Sequence, residues 1–253
     1  MRFSVIVPAH NEERHLPACL AALRRAADAS RAEIEIVVVL NRCTDATESI
    51  AAALGARTVR EDRRCLAAIR NAGARAATGD VIVTVDSDSV VSENVFAEIE
   101  RLLASGRWVG GGITLRMERY SPGIVLTLAF LRLAMFVTRL AGGVYWCRID
   151  DFRAVGGFDE KLPFGEDVDF AKRLRAHGRK TDRRFTTLRR AWIVTSCRKF
   201  DRFGDWHWFT FLLQARAIRR SLRGESSEFK DRYFYEFNDA KRADPGDDRP
   251  KSS

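Results

Sequence analysis

The chain has 253 residues, 46% of them hydrophobic and 30% charged. That mix excludes disorder along the whole chain and suits one large domain or two small ones, with a sizeable core either way. Lys and Arg number 43 against 34 Asp and Glu, a formal charge of +9 with a pI near 9.7, which suggests a polyanionic partner: nucleic acid, a membrane surface or a phosphorylated small molecule.

Along the first half, strand and helix signals alternate. Phe3 to Val7 reads as a short buried strand, and Leu16, Leu20, Leu23 and Ala27 then recur at helical spacing. Ile34 to Val39 is a β-branched run suited to a strand covered on both faces. Asp45 and Glu48 have the spacing of a capping box for a helix to Leu54, stopped by Gly55. Arg57 to Val59 predicts a third strand, Cys65 to Ala77 a helix and Val81 to Val85 a fourth strand. Ser92 is placed to cap a further helix through Leu103. This order predicts an α/β fold with an open, mostly parallel sheet and helices on both faces. Ligands bind such sheets beyond the carboxyl ends of the strands, which selects Pro8 to Glu13, Leu40 to Asp45 and Asp86 to Ser89.

The second half is less regular. Gly110, Gly111 and Gly112 are expected to break the chain. Pro122 to Leu140 is strongly apolar, but its longest uncharged run, Tyr120 to Leu131, has only 12 residues, short of the roughly 20 that span a bilayer as a helix. A buried or substrate-covering helix is the preferred reading, and a helix in the membrane interface the sharper one. Asp167 to His177 predicts a helix closed by Gly178, and Trp206 to Leu222 another. From Asp239 the chain is polar and expected to be disordered. Cys19, Cys43, Cys65, Cys147 and Cys197 form no Cys-x-x-Cys pair. This argues against a disulfide framework or structural zinc and for a reducing cytoplasm. Phe3 to Val7 is too short for a leader's apolar core, so no signal peptide is expected.

Two acidic clusters carry chemical promise. Asp86-Ser87-Asp88 follows the clearest strand, and its hard oxygens suit Mg2+ or Mn2+ with positions left for phosphate; helix capping is the plainer use. Glu166-Asp167-Val168-Asp169 opens a helix, where the dipole favours carboxylates; capping explains one and a general base another. Gly165 and Gly156-Gly157 suggest close backbone approach to a ligand. Arg70, beside Asn71, is either a phosphate clamp or a surface arginine. His10 and His207 read as packing or hydrogen-bonding histidines, His207 being a weaker candidate for a third metal ligand. There is no Walker loop, no Gly-x-Gly-x-x-Gly after the first strand and no Gly-x-Ser-x-Gly.

Five ordered segments resemble the family 2 glycosyltransferases, whose nucleotide-binding fold is called GT-A. They are Val5 to Glu13, Asn41 to Thr47, Ala68 to Gly73, Val85 to Asp88, and Val155 to Glu160 followed by Gly165 to Phe170. The resemblance runs over roughly residues 3 to 200. It implies inverting transfer of a sugar from a nucleoside-diphosphate donor. It also implies roles: Pro8, Ala9, Glu12, Asn41, Arg70, Asp86 and Ser87 at the nucleotide, Asp88 and Asp86 at a Mn2+ or Mg2+ ion, and Asp167 as base with Glu166 in support. Many family members have an acidic residue in the second loop, where this chain has Leu40-Asn41-Arg42, so both UDP- and GDP-linked donors stay open. The Gln-x-x-Arg-Trp motif of processive members is missing, which implies a single transfer.

On this reading residues 1–223 form one GT-A domain. Its nucleotide-binding half is 1–105 and its acceptor half 106–223; residues 224–253 form a C-terminal extension. Two other readings compete. A nucleic-acid-binding protein fits the charge but lacks a binding motif, and a sugar-1-phosphate nucleotidyltransferase should begin with a glycine-rich loop that is absent. Residues 172–223 hold 16 Lys and Arg against three acids. That stretch includes Arg198 and Lys199, placed to reach a donor diphosphate, and Arg216, Arg219, Arg220 and Arg223 on one helix. It suggests peripheral contact with anionic lipid at the inner face of the membrane, with a lipid-linked hydroxyl acceptor and no nucleic acid.

Overall fold

The computed structural model describes residues 1–138, 144–162 and 165–206; within 131–138 it describes only the side chain of Leu133. His207, the rest of the Trp206–Leu222 segment and the C-terminal extension therefore lie outside the described residues.

The predicted alternation is present. Strands β1 (Arg2–Ala9), β2 (Glu33–Leu40), β3 (Arg57–Arg60) and β4 (Val81–Thr84) pair in parallel, with β1 between β2 and β4. Helices α1 (Leu16–Ser30), α2 (Thr47–Ala53) and α3 (Leu66–Ala76) connect them. β1 shows why both sheet faces are covered. Phe3, Val5 and Val7 enter one apolar layer, and Ile6 enters the other with Val37, Val39 and Ile82, because successive strand side chains point to opposite faces. The first layer is closed by α1 and by α4 (Val95–Ala104), where Phe96 stacks 5.0 Å from Phe3. The second is closed by α3 and α7 (Glu166–Lys180).

Beyond β4 the sheet becomes mixed. β5 (Ser89–Val91), β6 (Trp108–Met117), β7 (Tyr145–Arg148) and β8 (Arg184–Thr195) complete eight strands in the order β3-β2-β1-β4-β7-β6-β8-β5. β7 runs antiparallel to β4 and β6, β8 parallel to β6, and β5 antiparallel to β8. The sheet is thus parallel from β3 to β4 and mixed beyond it.

Several local expectations are corrected. Gly110, Gly111 and Gly112 do not break the chain; they lie within β6. A Cβ on Gly111 would stand 1.9 Å from the Thr186 carbonyl oxygen, and one on Gly110 2.4 Å from that of Trp146. The glycines let β6 press between β7 and β8. The Asp45–Glu48 capping box does not form: Asp45 accepts from the Thr47 N–H at 3.0 Å, while Glu48 turns to Arg60. Ser92 does not cap α4; its hydroxyl meets Asn94, and no side-chain bond caps that helix. Gly178 lies inside α7, where its missing side chain admits Val109 and the Arg183 carbonyl.

The apolar segment after Tyr120 forms α5 (Pro122–Thr138). It is not simply buried. Ile124 and Leu128 pack on Met117, Cys197 and Phe200, the last on α8 (Arg198–Phe203), but Val125, Leu126, Phe130 and Leu133 are about half exposed or more. No helix among the described residues is long and apolar enough to cross a membrane.

Candidate active site

The acidic turn Asp86-Ser87-Asp88 links β4 to β5, so the central parallel strand delivers it to the carboxyl edge of the sheet. The Ser89 N–H closes the turn on the Asp86 carbonyl at 3.1 Å, and the Ser196 N–H holds the Asp88 carbonyl at 3.2 Å. Ser87 is buried. Asp86 is ringed by protein, yet its side chain is 46% exposed, so it lines the floor of a cleft. Burial raises its pKa, Asp88 adds to that rise, and Arg70 opposes both.

Arg70 stands on α3 with a side chain only 3% exposed. It is neither a surface arginine nor, in this state, a phosphate clamp. One terminal nitrogen reaches Asp86 Oδ1 at 3.3 Å and the other Glu166 Oε1 at 3.2 Å. The strand-end turn and the first turn of α7, far apart in sequence, thus share one buried cation. Glu166 is raised by burial despite Arg70. Asp167, its neighbour, is part-exposed; its Oδ1 accepts from the Val168 N–H at 2.7 Å.

Asn71 fixes this arrangement. Its amide donates to the Phe158 carbonyl at 2.8 Å and to Glu160 at 2.9 Å, and its oxygen accepts from the Phe158 N–H at 2.9 Å. Gly157 (φ +65°) is needed here, because a Cβ would meet the Asn71 oxygen at 2.7 Å. The close approach predicted for Gly157 is therefore to the protein's own Asn71. Gly156 and Gly165 also have positive φ, with open space beside them.

The other strand-end loops meet the same cleft edge. Ala9 is 2% exposed and its side chain is in the core, so only its backbone faces the loop, with its carbonyl taken by the Asn41 N–H at 2.8 Å. Pro8 is part-exposed. Asn41 is buried and donates to the carbonyls of Glu61 and, at 2.9 Å, Arg63. Two carbonyls against one amide nitrogen fix its orientation and leave Oδ1 as an acceptor with no protein partner among the described residues. His10 Nδ1 sits 2.6 Å from the Asn41 carbonyl oxygen, a hydrogen-bonding histidine as expected.

Glu12 and Asp88 converge on Arg198, the first residue of α8. Its terminal nitrogens meet the two Glu12 oxygens at 2.7 and 2.9 Å, and its Nε lies 3.1 Å from Asp88 Oδ2. The Ser196 hydroxyl donates to that same Asp88 oxygen at 3.0 Å, and Ser89 donates to the other at 3.3 Å. Lys199 feels Asp88, Asp86 and Glu12 as well; burial lowers its pKa against their pull. Ser196 went unseen in the sequence, because only the β5–β8 pairing brings it to Asp88. Among the described residues no three His, Cys, Asp or Glu side chains form a ready-made cage. Two carboxylates on one turn nevertheless fit a hard divalent ion whose remaining positions are filled by diphosphate oxygens.

The described part of the basic stretch is not one solvated face. Arg173 pairs with Asp169 at 2.6 Å, Arg183 with Asp151 at 2.6 Å, and Arg198 lies in the cleft. Arg179, Lys180, Arg184, Arg189, Arg190 and Arg202 are exposed.

The chain is similar to known proteins along this architecture. The profile described as Glycosyl transferase family 2 matches residues 4–115, and one described as N-terminal domain of galactosyltransferase matches 123–192. An uncharacterized glycosyltransferase of Mycobacterium tuberculosis is 38% identical over 85 residues, 34% of this chain and 36% of that protein. An undecaprenyl-phosphate 4-deoxy-4-formamido-L-arabinose transferase of Pseudomonas fluorescens is 36% identical over 111 residues, 40% of this chain and 31% of that protein. The chain thus spans about a third of the length of these curated relatives. The mannosyltransferase PcManGT from Pyrobaculum calidifontis, solved with GDP-Man and Mn2+, superposes with a TM-score of 0.61 at 22% identity, covering 76% of this chain and 56% of that one. Residues 4–115 are thus similar to family 2 of the glycosyltransferases, and the architecture as a whole is similar to that of solved glycosyltransferases of the GT-A fold.

Proposed function

We propose that the protein is an inverting, non-processive glycosyltransferase that moves one sugar from a UDP- or GDP-linked donor to an acceptor hydroxyl with the help of Mn2+ or Mg2+. The observation that carries this reading is Arg70 bridging Asp86 and Glu166. It joins the acidic turn of the nucleotide half to the acidic helix start of the acceptor half. One cleft then has a donor side and an acceptor side.

On the donor side, Pro8, the Ala9 backbone, Glu12 and Ser87 line the nucleotide. Asn41 Oδ1, buried at the edge of its loop with no protein partner among the described residues, is an acceptor that suits the ring N–H that uracil and guanine both carry. Asp88, with Asp86 beside it, would hold the divalent ion, which when bound stabilises negative charge on the leaving diphosphate. On the acceptor side, Asp167 takes the proton of the acceptor hydroxyl as its oxygen bonds to the anomeric carbon and the bond to the diphosphate breaks. Glu166 and Arg70 hold Asp167 beside the donor. One displacement by one base inverts the anomeric carbon, whereas a retaining glycoside hydrolase uses two carboxylates flanking the sugar ring.

A lipid-linked acceptor is supported by the relative named for an undecaprenyl-phosphate substrate and by α5. Its outer row, Val125, Leu126, Phe130 and Leu133, is apolar and exposed, and Tyr120 and Trp206 are exposed nearby. Aromatics flanking an apolar stripe, on a chain of charge +9, suit an anionic membrane surface at the cytoplasmic leaflet. Residues 1–105 and 106–223 serve as donor and acceptor halves of one domain. A thermal-shift comparison of nucleotide sugars with and without Mn2+ tests the reading: the donor should raise the Tm in the presence of the ion, and no response to any nucleotide would refute it.

A further inference from the structure

Resting on the metal-dependent reading above, we infer that Arg198 is the residue that makes divalent-ion binding conditional on the donor. Its guanidinium lies against the carboxylate of Asp88, which would hold the ion. It caps Glu12 with two bonds of 2.7 and 2.9 Å while its Nε lies 3.1 Å from Asp88 Oδ2. Both Asp88 oxygens are already engaged, one by Ser196 at 3.0 Å and one by Ser89 at 3.3 Å. The side chains of Arg198 and Asp88 are 16% and 14% exposed, so water screens their attraction only partly. Two positive groups cannot share one carboxylate at contact distance without strong repulsion. A divalent ion that binds Asp88 must therefore displace the guanidinium.

The same geometry supplies the release. A diphosphate brought to Asp88 offers paired anionic oxygens, the planar target that an arginine fork fits best. The guanidinium would then exchange Asp88 for phosphate, leaving the Asp88 carboxylate to hold the ion. Arg198 and Lys199 sit on one short helix. α8 has six residues, leaves β8 through Ser196 and Cys197, and ends at Gly204 in a φ +85° conformation. Arg198 is in this sense a positioning residue, and Asp88 remains the ligand.

The test is Mn2+ binding to the full chain, read from the electron-paramagnetic signal of free Mn2+, alone and with saturating UDP or GDP. The wild type should bind Mn2+ at least about tenfold more tightly with nucleotide than without, the size of an ordinary coupling between two ligands. Arg198→Met should bind Mn2+ more tightly than wild type when nucleotide is absent, and its coupling should collapse towards onefold. Arg198→Lys, which keeps a charge but loses the fork, should retain weak nucleotide-free Mn2+ binding, and it keeps the comparison valid if the methionine variant melts early. Equal nucleotide-free affinity in wild type and Arg198→Met, with wild-type coupling intact, overturns this inference alone. No Mn2+ binding by wild type under any condition overturns the metal-dependent reading with it.

Discussion

Glu12, in the loop after β1, and Arg198, at the start of α8, form a two-bond ion pair across 186 positions of sequence. The side chain of Glu12 is only 4% exposed. This pair ties the loop after β1 to α8, much as Arg70 ties the turn after β4 to the start of α7. The resting site is therefore a balanced set of charges in which Glu12, Asp86, Asp88 and Glu166 are each met by arginine.

Arg70 is the buried cation with the most to lose. Arg70→Met leaves Glu166 and Asp86 without their shared partner, and removing one member of a buried pair costs on the order of 3 kcal/mol. The melting temperature should fall by several degrees and turnover should drop. An unchanged Tm would show that the bridge is not held in solution.

Asp167 is assigned the proton. Asp167→Asn should keep donor affinity within about twofold and lose roughly 10²–10⁴ in kcat, the usual worth of a positioned general base. Nucleotide binding by calorimetry beside a turnover assay separates the two. Retained turnover would move the base elsewhere.

Glu166 has a defined pH signature. Burial raises its pKa above the ordinary 4.5 despite Arg70. A raised pKa means that the folded state favours the protonated form, so stability from this group is present below its ordinary pKa and lost as pH rises through the folded value. The Tm of Glu166→Gln relative to wild type should therefore climb as pH rises through that range. A flat difference would contradict the burial of a charged Glu166.

The outer face of α5 tests the membrane surface. Phe130→Asp together with Leu133→Asp places two charges on an exposed apolar row without touching the side packed on Phe200. Co-sedimentation with vesicles of anionic lipid should be lost in this variant, while its Tm stays near wild type. Equal recovery of both chains would remove α5 from the account.

The parallel half of the fold was legible because its strands and helices are local and strongly patterned. Phe3 to Val7 and Val81 to Val85 are apolar runs interrupted only by Ser4 and Thr84, and the acidic turn follows directly from the second. β7 and β8 were not legible, since Tyr145–Arg148 is four residues long and β8 is mostly half-exposed on a sheet edge region rich in arginine. The glycines of β6 mimic a break, because the reason for them is the Thr186 and Trp146 backbone pressing from either side. In the site, Asp86, Asp88, Glu166 and Asp167 announced themselves by type and position. Their partnerships did not: Arg70 read as a phosphate clamp or a surface arginine, not as a bridge between Asp86 and Glu166, and Ser196 acquires meaning only when β8 pairs with β5. Chemistry-bearing carboxylates cluster in sequence here, whereas the groups that orient them arrive from distant elements.

The most direct measurement is calorimetric titration of UDP and GDP, with Mn2+ present, into wild type and Asp88→Asn. The account predicts saturable binding of one nucleotide by wild type, lost when Mn2+ is chelated and weakened at least about tenfold by the substitution. Nucleotide binding that is indifferent to both Mn2+ and Asp88 would contradict it.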